Sequence, residues 1–148
     1  MKKLLCLLSI LSFLTTSAFA QTVPAGTEIV LGLKRHKSQR TMHSKLNAIV
    51  KKDVYIDDKL VFAANDKAEI YILKNNKAKF FGRGGTLILS GGMVYDVNGK
   101  AHDVEIQEQY TGKNAPFLAK LLIFKKGQNV VIYPSQNFVV KLSQKFKI

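Results

Sequence analysis

The sequence predicts an all-β domain: a small antiparallel β-barrel or sandwich of about nine or ten short strands, with one short helix near residues 115–124. Three observations carry this. Apolar residues recur with period two, which places them on one face of a strand. Short polar dipeptides suited to tight turns separate these stretches. Helical periodicity is scarce, with a single exception late in the chain.

The elements follow in order. In Thr27–Leu33, residues Ile29, Leu31 and Leu33 share a face. Val54–Ile56 and Leu60–Ala63 flank Asp57-Asp58, a pair suited to a tight turn. In Lys67–Leu73, Ala68, Ile70 and Ile72 face one way and Lys67 and Glu69 the other. Asn75-Asn76 is expected to turn the chain into a strand over Lys79–Phe81. Gly85–Ser90 is more continuously apolar and is expected to lie deeper. The glycine pieces Gly82-Arg83-Gly84-Gly85 and Gly91-Gly92 read as bulges or barrel corners, because strand rather than helix follows the first of them. Asn98-Gly99 joins Met93–Val97 to His102–Glu108 as a hairpin, since both residues tolerate positive φ. In the second of these, Val104 and Ile106 alternate with Asp103, Glu105 and Gln107. Val130–Tyr133 is another apolar strand, and Asn137–Ser143 alternates Phe138, Val140 and Leu142 with polar neighbours. One-sided patterns of this kind suit antiparallel sheets with one wet face.

The exception is Ala115–Phe124, which Asn114 is placed to cap and in which Pro116 falls in the first turn. It is apolar almost all round. Two readings stand: a buried or barrel-plugging helix, and a membrane-surface helix with Lys113, Lys125 and Lys126 at the headgroups. A fainter pattern links the ends, where Pro24 and Pro134 each precede a strand by about five residues, which reads either as a pseudo-repeat or as two edge strands that begin after a proline.

The first twenty residues have the layout of a secretory signal peptide. Met1-Lys2-Lys3 is followed by an apolar run from Leu4 to Leu14 and then by Ser17-Ala18-Phe19-Ala20, a small-x-small cleavage site. The run is shorter than the roughly twenty apolar residues a membrane helix needs. Cys6 lies near its start, whereas a lipidated cysteine closes such a run. The expected organisation is therefore a cleaved signal over residues 1–20 and a single domain over 21–148, exported to the periplasm or envelope or fully secreted, with no transmembrane helix after cleavage. Cys6 is the one cysteine, so the mature chain has no disulfide, thiol nucleophile or thiolate ligand. Loss of Lys2 and Lys3 from the 23 basic residues leaves 21 against 10 acids, a net charge of about +11. A field of that sign attracts anionic polymers and surfaces. Export turns the expectation away from nucleic acid and toward an anionic envelope polymer, lipid headgroups or an envelope protein.

The densest cationic run is Lys34-Arg35-His36-Lys37-Ser38-Gln39-Arg40, which reads as an exposed loop. Lys34, Arg35, Lys37 and Arg40 are its candidate anion-binding residues. No catalytic set is apparent. The chain has no Gly-x-Ser-x-Gly elbow and no helical Ser-x-x-Lys. His36, His43 and His102 lack zinc-site spacing, and Asp96-Val97-Asn98-Gly99 lacks the closing glutamate of a calcium loop, so neither metal nor cofactor is expected. Asp103, Glu105 and Glu108 supply a glycosidase pair only if two of them face one cleft.

Pro24-Ala25-Gly26-Thr27-Glu28-Ile29 opens a further pattern. It continues through Asp53-Val54-Tyr55, Leu60-Val61-Phe62 before Ala68-Glu69-Ile70, Arg83 ahead of Thr86–Ser90, and Asp96-Val97-Asn98-Gly99. Over roughly residues 23–106 the chain resembles the β-barrel domain at the C-terminus of TrbI-like scaffold proteins of type IV secretion channels. It is also similar to small exported envelope domains that open with a Pro-x-Gly-Thr strand. The chain departs from the TrbI-like pattern in having a signal in place of an anchoring helix and neither a proline-rich spacer nor a long helix pair. Ala63-Ala64-Asn65-Asp66 stands where a Pro-x-Gly turn is expected. The resemblance implies a barrel and a scaffolding role, and supplies no catalytic residue.

The expected function is a non-enzymatic exported envelope domain that binds or scaffolds through a basic face. The alternatives are a hydrolase of an envelope polymer, which needs a cleft gathering two carboxylates or a histidine with a carboxylate, and a small outer-membrane β-barrel.

Overall fold

A computed structural model of the chain describes residues 20–80, 82–115 and 126–148. The predicted helix over 115–124 therefore lies, apart from Ala115, outside the described residues, as does the signal segment apart from Ala20. The strands are β1 (Thr22–Val23), β2 (Glu28–Gly32), β3 (Lys37–Ser38), β4 (Lys45–Val50), β5 (Val54–Ile56), β6 (Lys59–Phe62), β7 (Lys67–Asn76), β8 (Thr86–Tyr95), β9 (Ala101–Thr111), β10 (Val131–Ile132), β11 (Asn137–Leu142) and β12 (Phe146–Lys147). Six of them close an antiparallel barrel in the order β11-β2-β4-β7-β8-β9, with β11 returning to β9 through Lys141↔Glu105 and Leu142↔Val104.

Strand alternation fills the barrel. Ile29 and Leu31 of β2, Ala68 and Ile70 of β7, Val104 and Ile106 of β9, and Phe138, Val140 and Leu142 of β11 are all buried, as the period-two pattern predicts. Each such Phe, Leu, Ile or Val contributes about 1.5–3 kcal/mol by leaving water. β4 was not among the expected strands, although Leu46, Ala48 and Val50 alternate inward there as well.

The turns decide where the strands fold back. Asp57 and Asp58 have φ of 45° and 63°, so β5 and β6 form a two-residue hairpin with both residues left-handed. The hairpin at Asn98-Gly99 forms too, with a different geometry. Gly99 alone takes positive φ, at 79°, and its N–H bonds the Asp96 carbonyl at 2.8 Å, while Asp96 Oδ1 accepts from the N–H groups of Asn98 and Lys100 at 2.9 Å each. Asp at the first position of such a turn supplies the acceptor that replaces a second left-handed residue.

Asn75-Asn76 is not a turn. β7 runs on through Asn76, paired to Thr86, because Asn75 Nδ2 donates to the Met42 carbonyl at 2.9 Å and the Asn76 carbonyl accepts from Gln39 at 2.7 Å. The chain reverses only after Asn76, and Lys79 and Phe80 belong to that loop and not to a strand. Gly85–Ser90 and Met93–Val97 are one strand, β8, interrupted by a bulge. The register slips between Ser90 and Gly92, where Gly91 has φ of 70° and a Cβ on Gly92 would stand 2.2 Å from the Glu69 carbonyl oxygen. A bulge with left-handed glycine sharpens strand twist and bend, which lets a six-stranded sheet close as a barrel and not stack as a sandwich. β2 and β11, the strands that follow Pro24 and Pro134, are not edges. They pair with each other inside the barrel, and both prolines stand outside the ladder.

Small sheets cover the two ends. At one, β1–β12, β5–β6 and the 96–100 turn gather Val23, Phe62 and Phe146. At the other, β3–β10 brings Leu33, Met42, Val130 and Ile132 over the barrel. The connections of this second end carry Lys34, Arg35, Arg40, Lys77, Lys79, Arg83 and Lys126.

Candidate functional site

The basic run after β2 is not a uniform exposed loop. Lys34, Arg35, Lys37 and Arg40 are exposed, yet Gln39 between them is fully buried. Its Nε2 donates to the carbonyls of Asn76 (2.7 Å) and Thr86 (3.0 Å), and its Oε1 accepts from the Val130 N–H at 3.0 Å. One side chain thus joins the run to the β7–β8 connection and to the segment before β10. A Cβ on Gly85 would meet Gln39 Oε1 at 2.1 Å, so glycine there leaves the amide room.

Gln39 also divides the four predicted residues. Lys34, Arg35 and Lys37 line a cleft of about 390 Å³ against Asn47, Ala48, Ile49, Asn65 and Lys67. Arg40 lies in a second cleft, also about 390 Å³, with Lys77, Ala78, Lys126, Gly127 and Asn129. The fold brings three of the predicted cations together and gives the fourth to another set.

That other set extends into a neighbouring hollow. A hollow of about 640 Å³ shares Ala78 and Lys126 with the Arg40 cleft and is lined further by Lys79, Phe80 and Arg83. Phe80 is 50 % exposed, and Lys126 Nζ stands 4.4 Å from its ring centroid, within cation–π range. Backbone bonds hold the frame: Lys79 N–H to the Arg83 carbonyl (3.1 Å), Gly127 N–H to the Lys79 carbonyl (3.3 Å), and Ala78 N–H to Asn129 Oδ1 (2.9 Å). Asn114 accepts the Gly84 N–H through its side chain at 2.9 Å, and the helix it is expected to cap lies outside the described residues. The sequence singles out Lys126 as a surface cation but marks no binding role for Lys77, Lys79, Phe80 or Arg83. The available signal was Lys77-Ala78-Lys79-Phe80, cations alternating with small and aromatic residues.

The acids are engaged elsewhere. Glu69, expected on the wet face of β7, is only 5 % exposed, because Lys45 (2.9 Å) and Lys67 (3.2 Å) close over it. Hydrogen bonds from Lys45 and then Lys67 hold its carboxyl below the ordinary range and outweigh burial. Glu28 pairs Lys141 at 3.5 Å, and Asp53 and Asp66 accept backbone N–H groups at Ala64 and Ala63. No carboxylate lies within ion-pairing distance of Arg40, Lys77, Lys79, Arg83 or Lys126 among the described residues.

The groups considered for catalysis are apart from one another. Asp103 and Glu105 point outward and are exposed, whereas Glu108 faces inward beside Tyr110, which hydrogen-bonds it and whose hydroxyl is pushed up by burial and by that carboxylate. Glu105 borders one hollow and Asp103 another. His36 and His43 are exposed. Among the described residues no cluster of three metal-ligating side chains occurs.

One histidine does meet a carboxylate. His102 Nε2 lies 2.9 Å from Asp96 Oδ2, with both side chains buried. The imidazole stacks on Phe146 at 3.6 Å and meets Phe62 edge-on at 6.1 Å. Burial pushes the Asp96 carboxyl up, but bonds from His102, Lys100 N–H and Asn98 N–H together bring it below its usual value. Asp96 is occupied by its turn and His102 by the aromatic stack, so the pair fastens the β8–β9 hairpin to β12. Glu69 and Asp96 both have lowered folded values. Each therefore contributes stability above the unfolded carboxylate value of about 4 and loses it as the pH falls through its own folded value. Urea unfolding between about pH 6 and about pH 2 is expected to show this loss, and Asp96→Asn, which keeps the turn acceptor, should flatten the acid slope. An unchanged slope would show that the pair carries no pH-linked stability.

Comparison of the chain with protein-family models, with curated proteins and with solved structures finds no match.

Proposed function

We propose that this chain is an exported, non-enzymatic cell-envelope domain that binds or scaffolds through a basic surface. Its partners in this reading are anionic: an envelope polymer, lipid headgroups or an acidic face of an envelope protein. The observation that carries the reading is the segregation of charge. Arg40, Lys77, Lys79, Arg83 and Lys126 converge on one end of the barrel without a carboxylate, while the acids serve turns and the barrel wall. The signal-like N-terminus and the resemblance to TrbI-like barrel domains support an envelope setting.

Two observations weigh against the alternatives. A hydrolase needs its histidine–carboxylate pair beside a nucleophile or a water-holding cleft, and His102–Asp96 is spent on packing and on a turn. A lipid-embedded barrel needs an apolar outer band, whereas exposed Glu28, Lys45, Lys67, Asp103, Glu105 and Lys141 stud this wall.

The test is binding of the chain from Gln21 onward to polyphosphate across a salt series. Serine at Arg40, Lys77, Lys79, Arg83 and Lys126 is expected to weaken binding about tenfold or more at low salt and to reduce its salt dependence. The control replaces Lys52, Lys59, Lys100, Lys145 and Lys147, exposed cations outside this cluster, for the same change in net charge. Equal losses in the two variants would mean that total charge acts without a site.

A further inference from the structure

We infer, resting on the basic-surface reading above, that the end built by residues 78–80, 82–83 and 126–129 docks on an anionic lipid bilayer, with Phe80 entering the headgroup layer and the surrounding cations meeting lipid phosphates. The polyanion reading needs only charge. The geometry here adds an apolar probe beside Lys79, Arg83 and Lys126.

Phe80 is a large aromatic side chain at 50 % exposure in a loop that also presents Lys79 and Arg83. A solvated loop gains nothing from such a ring, whereas at a bilayer surface the ring leaves water and the cations keep theirs. Lys126 covers one face of the ring at 4.4 Å, so charge and apolar surface are presented together. Lys77 and Arg40 extend the positive surface from the adjoining cleft. The platform is held in shape by its backbone bonds and by the buried Gln39, so little ordering is required on docking. The occupant follows from complementarity. Cations near a negatively charged leaflet gain about 1 kcal/mol each, roughly fivefold per residue, and one aromatic ring adds to that by burial. A soluble acidic polymer would use the cations but leave Phe80 in water.

The chain contains no tryptophan, so Phe80→Trp creates a single reporter at the centre of the platform. The experiment mixes this variant, beginning at Gln21, with phosphatidylcholine vesicles, with vesicles containing phosphatidylglycerol, and with polyphosphate. The expected result is a blue-shifted, quencher-protected emission on phosphatidylglycerol vesicles alone. In sedimentation, Phe80→Ser should weaken binding to those vesicles by about tenfold and leave polyphosphate affinity within about twofold. Lys79→Ser, Arg83→Ser and Lys126→Ser together should weaken both. Because Phe80 is half exposed, these variants are expected to unfold like the parent in urea, which verifies that any loss is not a loss of fold. Binding to polyphosphate without binding to anionic vesicles overturns the lipid inference and leaves the basic-surface reading standing. Equal effects of Phe80→Ser on the two ligands, or a blue shift with polyphosphate, also overturn it. Binding to neither ligand removes both readings.

Discussion

Gln39→Leu is expected to destabilise the fold by about 2–4 kcal/mol, although it replaces a polar side chain with an apolar one of similar size. The wild-type amide is fully buried and satisfies the Asn76 and Thr86 carbonyls and the Val130 N–H. Leucine orphans the buried Val130 N–H, which costs about 1–3 kcal/mol, and strips the part-buried Asn76 and Thr86 carbonyls, which face each other across the β7–β8 ladder, of their bonds to the amide, at about 0.5–1.5 kcal/mol each. Gln39→Glu keeps one acceptor but opposes a carboxylate to two carbonyls, so it should be no milder. Urea unfolding measures both. The variant has a functional consequence too. Gln39 fastens the β7–β8 connection and the segment before β10, which carry Lys77, Lys79, Phe80, Arg83 and Lys126. Hydrogen exchange at Lys79, Gly85 and Val130 should accelerate more than at β2 and β11. A loss under about 1 kcal/mol would show that the end is held by its backbone bonds and not by this side chain.

Phe138→Ala should cost about 3–5 kcal/mol, the range for removing a buried aromatic ring and leaving a cavity. Phe138 is fully buried, pairs across the ladder with Leu31, and meets Tyr110 edge-on with ring centroids 6.2 Å apart. It sits where β11 joins β2, close to the seam that β11 makes with β9 through two residue pairs. The loss should therefore appear at the closure of the barrel as well as in global stability. Phe138→Leu, which keeps most of the volume, is expected to lose less than half as much in equilibrium unfolding. Equal losses would mean that ring shape, and not volume, decides the packing there.

The basic-aromatic end shows how legibility in the sequence depends on distance along the chain. Lys34 to Arg40 stands out because its charges are consecutive, and a run of seven residues suffices to see it. Its buried member, Gln39, looks like any loop glutamine, because its partners lie 37, 47 and 91 residues away. Phe80 and Lys126 are likewise unremarkable alone and become a site only where two connections meet. Asn75-Asn76 misled for the same reason. Turn chemistry is a local preference, and here Gln39 and Met42 offer the two asparagines partners that keep β7 extended.

By itself the sequence determined the β-class of this domain, most of its inward-facing residues, two of its tight turns, the absence of cysteine from residues 21–148 and its excess of positive charge. All of these rest on interactions between residues a few positions apart, or on composition. Only the tertiary structure decided that the sheet closes as a six-stranded barrel, that Glu69 and Gln39 are buried, that His102 is tied to Asp96, and that Lys79, Arg83 and Lys126 gather around Phe80 with Arg40 and Lys77 in the adjoining cleft. Closure depends on the register at the Gly91 bulge and on the pairing of β11 with β9, and the charge cluster depends on which loops that closure brings to one end. Such contacts join distant segments, and no local pattern encodes them.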